Sequence, residues 1–381
     1  IPGETIFRLY DTYGFPVDLT ADIARERELG MDMEGFEACM NEQRDRARAA
    51  GSFHTDYSQS LDPALCSDFT GYDHLSGSSA ITALLHEGKP VDTLQRGQEG
   101  SVVLEETPFY AESGGQVGDQ GQISIGSTLF EVLDAQKQGS GAILHIGKLT
   151  EGTLRVGDVV RPQVDAERRQ SIMLNHSATH LLHAALRQVL GSHVTQKGSL
   201  VGPDRLRFDF SHPKPMHHDE LMTVEKIVNQ QIRSNQETVT RLMNQEDAIA
   251  SGAMALFGEK YDDEVRVLSM GDFSVELCGG THVSRTGDIG LFKITLETGI
   301  AAGIRRIEAI TGEAALDYMN NLEHDLEVIS SLVKGSRQDI AENVRSMANR
   351  LRVVDKELEQ LKSVPVSYTH LTLTTTLNSC R

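Results

Sequence analysis

Ile172-Met-Leu-Asn-His-Ser-Ala-Thr-His-Leu-Leu-His-Ala-Ala-Leu-Arg-Gln-Val-Leu190 is apolar, contains no glycine and reads as a helix. It carries His176 and His180 four residues apart, so both imidazoles share one helix face. About a hundred residues later the same spacing returns in Cys278-Gly-Gly-Thr-His282, a Gly-Gly turn that follows the strand-like run Phe273 to Leu277. One pair on a helix and one on a loop can close a four-ligand shell. Three histidines and one cysteine suit a borderline-soft ion such as zinc. A lone pair of histidines at helical spacing is common in buried helices; the second pair at matched spacing is what argues for a shared ion. His183 follows His176 by seven residues and reads as a support for the ligands or as packing. A zinc-protease site is excluded, because Ser177 stands where that chemistry needs a glutamate base. A zinc finger is excluded by the long stretch between the pairs, since its ligands sit close together in sequence.

Working outward from the helix, residues 166–311 alternate helices with strands: Leu206–Phe210, Asp219–Asn235 as a helix, Val265–Leu268, Phe273–Leu277, Ile289–Glu297 and Arg305–Thr311. This pattern predicts a two-layer α+β domain around the metal ligands. Before it, 64–165 shows short apolar runs between glycines and aspartates, with turn signals every 8–15 residues, and predicts a small β-barrel or twisted sheet. Within that region, Thr107-Pro-Phe-Tyr-Ala-Glu-Ser-Gly-Gly-Gln-Val-Gly-Asp119 is a glycine-rich turn suited either to shaping the backbone or to contacting a substrate. Residues 1–60 read as helical, ending in a polar linker from Gly51 to Asp62. From 312 to 363 the chain reads as helical again. Ile340, Val344, Met347, Leu351, Val354, Leu358 and Leu361 recur in 4-3 steps, a heptad seam suited to a coiled-coil arm, to self-association or to docking. Residues 364–381 are Thr-rich, lack acidic residues and read as a tail foreign to the rest. The expected fold is therefore α+β and multidomain: a helical segment, a small barrel, a metal-binding domain and coiled-coil-like helices.

No apolar run approaches the roughly 20 residues that span a bilayer, so no membrane role is expected. Four cysteines in 381 residues do not form a secreted disulfide framework, and no leader is visible, which favours the cytoplasm. The chain begins at Ile1 and reads as a piece of a longer protein. A net charge of −19 argues against a nucleic-acid partner until its distribution is seen. There are 11 basic against 26 acidic residues in 1–160, 17 against 19 in 161–310, and 8 against 10 in 311–381. The region of the metal ligands is nearly neutral. Arg168–Arg169, Arg205–Arg207 and Arg305–Arg306 can present positive patches there, or be solvated surface residues.

His176-Ser-Ala-Thr-His180 with Cys278-Gly-Gly-Thr-His282 resembles the zinc signature of the alanyl-tRNA synthetase editing domain. The resemblance extends to Pro2 through Pro16, Thr107 through Asp119, Gln196-Lys-Gly-Ser199, Arg207-Phe-Asp-Phe210, Gly252 through Lys260 and Gly303-Ile-Arg-Arg-Ile-Glu308, so it runs from Ile1 to about Leu361. It implies that 1–60 ends a helical tRNA-recognition region and that 166–311 is a zinc-dependent aminoacyl-tRNA deacylase. The substrate implied is tRNA(Ala) mischarged with serine or glycine. ATP-dependent ligation of alanine would belong to a class II domain upstream of this chain, which itself shows no ATP-binding signature. Proofreading has a physical motive: an apolar pocket rejects an added hydroxyl only by a factor on the order of a hundred.

The resemblance also implies roles. His176, His180, Cys278 and His282 would hold one zinc ion. Thr179 would read the serine hydroxyl, with Ser177 behind it, unless these hydroxyls merely bond the helix backbone at i−4. Gln196 would orient substrate or water. Asp209 would support a zinc histidine, or else be a surface carboxylate. Gly279 and Gly280 would let the backbone approach the terminal adenosine of the tRNA, or serve only the turn. Arg305 and Arg306 would contact the tRNA. If His282 completes the shell, zinc would chiefly organise the pocket or bind the substrate's amino group; with one ligand loose, it would lower the pKa of a water to about 7. Two other classes stay open: a non-catalytic tRNA-binding module with structural zinc, and a metallohydrolase of another ester or amide.

Overall fold

The structure, a computed structural model, describes residues 1–11, scattered positions between 20 and 40, and residues 65–139, 141–244, 247–248 and 264–363. The linker expected at 51–62, the stretch Gly252 to Lys260 and the 364–381 tail lie outside the described residues, as does most of the helical region expected at 1–60 beyond residue 11. Helices and several sheets are mixed, and two compact units divide the chain, Ile1–Ala315 and Leu316–Arg381.

The first unit opens with helix α1 (Gly3–Asp11). Eleven strands then follow: β1 (Asp68–Phe69), β2 (Ser79–His86), β3 (Lys89–Val91), β4 (Thr93–Gln95), β5 (Glu99–Leu104), β6 (Glu106–Thr107), β7 (Gly121–Ile125), β8 (Thr128–Lys137), β9 (Ile143–Glu151), β10 (Thr153–Arg155) and β11 (Val159–Val164). The main sheet runs β11-β7-β8-β9-β5-β2-β3, and β11 also pairs with β2 through Val159↔Ala80 and Val160↔Ser79. Six strands thus return on themselves as a ring of hydrogen-bonded neighbours. Strand alternation explains its filling: in β11 every second residue is buried, and Val160 and Val164 meet Ile81, Leu84, Val102, Leu104, Ile123 and Phe130 inside. His145 of β9 is wholly buried. Its Nδ1–H donates to the Val102 carbonyl at 2.8 Å, and its Nε2 lies 2.7 Å from Thr107 Oγ1, which also accepts the Phe109 N–H at 3.1 Å. Burial pushes this imidazole down to about 4, the carbonyl contact opposing only in part.

Helix α2 (Ala166–Leu190) begins where Asp165 caps it, its carboxylate accepting the Arg168 N–H at 3.0 Å. Then come β12 (Gln196–Val201), β13 (Leu206–Ser211), α3 (His218–Ser234), β14 (Thr238–Asn244), β15 (Glu264–Met270), β16 (Ser274–Leu277), a 3-10 turn (Thr286–Ile289), β17 (Phe292–Ala301) and β18 (Ile304–Thr311). One antiparallel sheet is ordered β12-β13-β18-β17 and another β14-β15-β16. Ala178, Leu181, Leu182, Ala185 and Leu186 of α2 share a core with Val224, Val228 and Ile232 of α3 and with Phe208, Phe210, Phe292 and Ile307 of the four-stranded sheet. The helix is thus pinned on its apolar side, which fixes the direction of its histidines.

The boundary expected at residue 165 lies within the compact unit Ile1–Ala315, whose parts on either side of it are joined. A buried ion pair gives the physical reason. Arg169 of α2 sets its Nε 3.0 Å from both carboxylate oxygens of Asp119, and its other nitrogens donate to the carbonyls of Gly71 at 2.7 Å and Pro108 at 2.9 Å. Two charges this deep persist only when every polar atom is engaged, so the pair ties the ring's loops to the helix. It also removes Arg169 from the positive patch expected at 168–169.

The second unit holds most of α4 (Gly312–Leu332) and all of α5 (Ile340–Ser363). Along α5, the heptad positions Val344, Met347, Leu351, Val354, Leu358 and Leu361 are all exposed. Among the described residues, no helix is long and apolar enough to cross a membrane.

Candidate metal centre

The α2 turn from Asn175 to His183 is buried throughout, so its histidines lie inside the protein. His176 and His180 stack with ring centroids 5.2 Å apart, and the His282 ring lies 4.3 Å from the first and 5.0 Å from the second. Cys278, the residue after β16, brings Sγ to 3.5 Å from His176 Nε2 and 3.2 Å from His282 Nε2. The donor atoms of His176, His180, Cys278 and His282 all lie within 4.8 Å of one another. A tetrahedral zinc shell has donor–donor edges of about 3.3–3.7 Å, so both sulfur contacts are close to that spacing.

The far side of each ring explains why these atoms converge. His176 Nδ1 lies 2.8 Å from Gln116 Oε1, His180 Nδ1 lies 2.6 Å from Glu276 Oε2, and His282 Nδ1 lies 3.2 Å from Ser177 Oγ. An amide oxygen and a carboxylate accept, so His176 and His180 carry a proton on Nδ1, which leaves Nε2 as the atom that would meet a metal. Such outer partners orient metal-binding imidazoles and fix their tautomers. His180 Nε2 is buried without a hydrogen-bond partner, a polar atom of the kind a bound metal ion would satisfy. The donor set and this orphaned atom fit an ion such as zinc.

Electrostatics point the same way. Burial opposes charge on Glu276, yet His180 and His183 hold its carboxyl down at about 2. Burial likewise opposes the Cys278 thiolate, but the surrounding His176, His282 and His180 bring the thiol well below its usual range. Burial draws His180 down, and Glu276 and Cys278 overcome it. His282 is pushed down to about 3 by burial and by His176. A divalent cation among these donors would add positive charge beside the Cys278 thiolate.

The ligand loop is held from several elements. Cys278 N–H donates to the Arg266 carbonyl at 3.0 Å, and Gly280 N–H reaches Cys278 Sγ at 3.4 Å. Gln116 Oε1 accepts the Thr281 N–H at 3.0 Å while its Nε2 donates to Thr281 Oγ1 at 2.9 Å. Ser177 Oγ accepts the Val283 N–H at 3.1 Å. A Cβ on Gly280 would stand 2.1 Å from His176 Cε1, so the glycine is required by the histidine. At Gly279 a Cβ would meet nothing within 4 Å.

The four ligands named from sequence come together, and other named residues have partners that differ from expectation. Asp209, expected as a support for a zinc histidine or as a surface carboxylate, has an arginine as its partner. It sits opposite Arg306 in the β13–β18 register, and Arg306 Nε and Nη2 grip its oxygens at 2.7 and 2.8 Å. Arg306 is thereby paired with a carboxylate, as is Arg305, which donates to Glu297 at 2.6 Å. Thr179 Oγ1 donates to the Asn175 carbonyl at 2.8 Å, the helical back-bond. Gln196 begins β12 opposite Phe210, half-buried, and among the described residues no hydrogen bond joins it to the ligands.

Sequence reasoning missed Gln116 and Glu276. Glu276 bridges His180 and His183, the latter at 3.0 Å, which makes His183 a support of the shell. A signal existed: residues two apart on a strand share a face, so Glu276 precedes Cys278 on the ligand side. Gln116 lay within the glycine-rich turn, but its partner is 60 residues away and nothing local announces it.

Two family models match the chain. Residues 1–168 match the tRNA synthetases class II (A). Residues 265–308, which carry Glu276, Cys278 and His282, match the threonyl and alanyl tRNA synthetase second additional domain. Joined to the two ligand pairs and the residues that orient them, these matches show that the chain belongs to the alanyl-tRNA synthetase family.

Proposed function

We propose that the chain hydrolyses the ester of tRNA(Ala) mischarged with serine or glycine, with one zinc ion held by His176, His180, Cys278 and His282. The carrying observation is the convergence of three imidazoles and a thiol whose outer atoms are each tied down, within a family whose second additional domain covers this loop. Zinc, when bound, supplies Lewis-acid positive charge near the ester. The chain's own residues do the placing. Gln116, Glu276 and Ser177 fix the three rings, and burial keeps bulk water from loosening them. Thr179 has spent its hydrogen on Asn175, so it would meet a serine hydroxyl as an acceptor. That hydroxyl is a feature that cognate alanine lacks, and a site built to bond it discriminates far better than an apolar pocket. Gln196 would orient the substrate or water, having an amide that donates and accepts but is no base. A cytoplasmic setting goes with this reading.

Ser-tRNA(Ala) incubated with the zinc-loaded chain should lose serine faster than in buffer. Cys278→Ala, checked for folding by circular dichroism, should lose both the metal and the activity. Equal serine loss with wild type and variant refutes the proposal. Salt-dependent tRNA binding without deacylation would favour a binding module instead.

A further inference from the structure

Tyr72 follows β1 in a turn whose backbone is fixed deep in the protein. The Gly71 carbonyl accepts from Arg169 at 2.7 Å, and a Cβ on Gly71 would stand 2.1 Å from the Pro108 oxygen. The phenol donates to the Gly279 carbonyl at 2.6 Å, one residue from the ligand Cys278. The Arg266 guanidinium carbon lies 3.5 Å from the ring centroid, while Arg266 Nη1 donates to the Gly280 carbonyl at 2.8 Å. Phe69 braces the ring edge-on at 4.8 Å. Despite these contacts Tyr72 remains 44 % exposed.

An aromatic side chain held on three sides and still open to solvent is a rigid flat surface. Aromatic faces and arginine planes are the surfaces on which unpaired nucleobases stack. This surface stands beside the metal loop, and consecutive Cα atoms are only about 3.8 Å apart. An ester held at the metal therefore brings the base of its own ribose into this neighbourhood.

We propose that Tyr72, backed by Arg266, is the stacking platform for the 3′-terminal base of the tRNA, an assignment that rests on the deacylase reading above. Tyr72 is thus a substrate-positioning residue contributed by the strand-ring region rather than by the elements that carry the ligands. Stacking on one aromatic side chain changes affinity by roughly 5- to 150-fold.

Two variants separate the platform from the latch on Gly279. Tyr72→Phe keeps the ring and loses the phenol bond; Tyr72→Leu loses the ring. The zinc-loaded full chain is mixed with tRNA(Ala) carrying 2-aminopurine as its terminal base, and quenching of that fluorophore reads the stack without any hydrolysis. Quenching should appear with wild type and Tyr72→Phe and vanish with Tyr72→Leu, while metal content stays equal in all three. With Ser-tRNA(Ala), Tyr72→Leu should raise KM about tenfold and Tyr72→Phe should leave it near wild type. Absence of quenching with wild type, or equal quenching with Tyr72→Leu, overturns the proposal, as does loss of metal in Tyr72→Leu, which would make the residue a loop support only. Quenching that follows this pattern without serine release by the wild type supports the platform while refuting the deacylase.

Discussion

Replacing Gln116 with leucine tests whether the metal centre depends on a residue outside the two ligand pairs. The side chain is fully buried and makes three hydrogen bonds, to His176 Nδ1, the Thr281 N–H and Thr281 Oγ1. Leucine fills a similar volume, so the packing cost is small. It leaves the His176 Nδ1–H and the Thr281 N–H buried without acceptors, each costing about 1–3 kcal/mol. Part of that is recovered if the His176 ring turns, but a turned ring no longer offers Nε2 to the ion. Loss of an outer partner typically lowers metal affinity about 10- to 100-fold, which is about 1.4–2.8 kcal/mol and agrees with one stranded donor. Gln116→Glu is the companion: its carboxylate accepts from both donors, and Thr281 Oγ1 can turn to donate to it. Zinc affinity, read by competition with a chromophoric chelator, should fall at least tenfold in Gln116→Leu and stay within about threefold of wild type in Gln116→Glu. Equal affinities for wild type and Gln116→Leu would refute the argument that this amide sets the tautomer of His176.

The two loop glycines should separate cleanly: Gly280→Ala places a Cβ against His176 and should abolish tight zinc binding in the same titration, whereas Gly279→Ala meets open space and should retain it. Breaking the buried Arg169–Asp119 pair by Asp119→Ala should cost about 3–5 kcal/mol in denaturant unfolding, because the arginine is left charged and unpaired. His145 imposes an acid limit. The unfolded chain takes up its proton near 6.5 but the folded chain only near 4, so stability falls as pH drops through that window, by about 3 kcal/mol at pH 4. His145→Leu should flatten this part of the pH–stability curve, and an unchanged slope would refute the assignment.

What could be read from the sequence follows burial. The region 64–165 reads as strands because alternate residues, as in Val159–Val164, fill the ring. β12 and β14 went unseen. Their residues are mostly polar or half-exposed, so no apolar alternation marks them, and pairing with β13 and β15 makes them strands. The ligands were legible because coordination demands particular residue types at a repeated spacing. Their supports were less so, since amides and carboxylates are common and only the fold tells which one faces a histidine. Asp209 shows the cost: its partner is decided by the β13–β18 register, which local sequence does not reveal.

The Gln116 amide reaches His176 and the ligand loop from the region before residue 165. A piece cut at Ala166 would therefore carry every metal donor but lose the clasp that closes the loop around them. Were the four donors to hold an ion, the smallest piece able to bind it would begin upstream of Gln116, in the ring of strands and not at the first ligand.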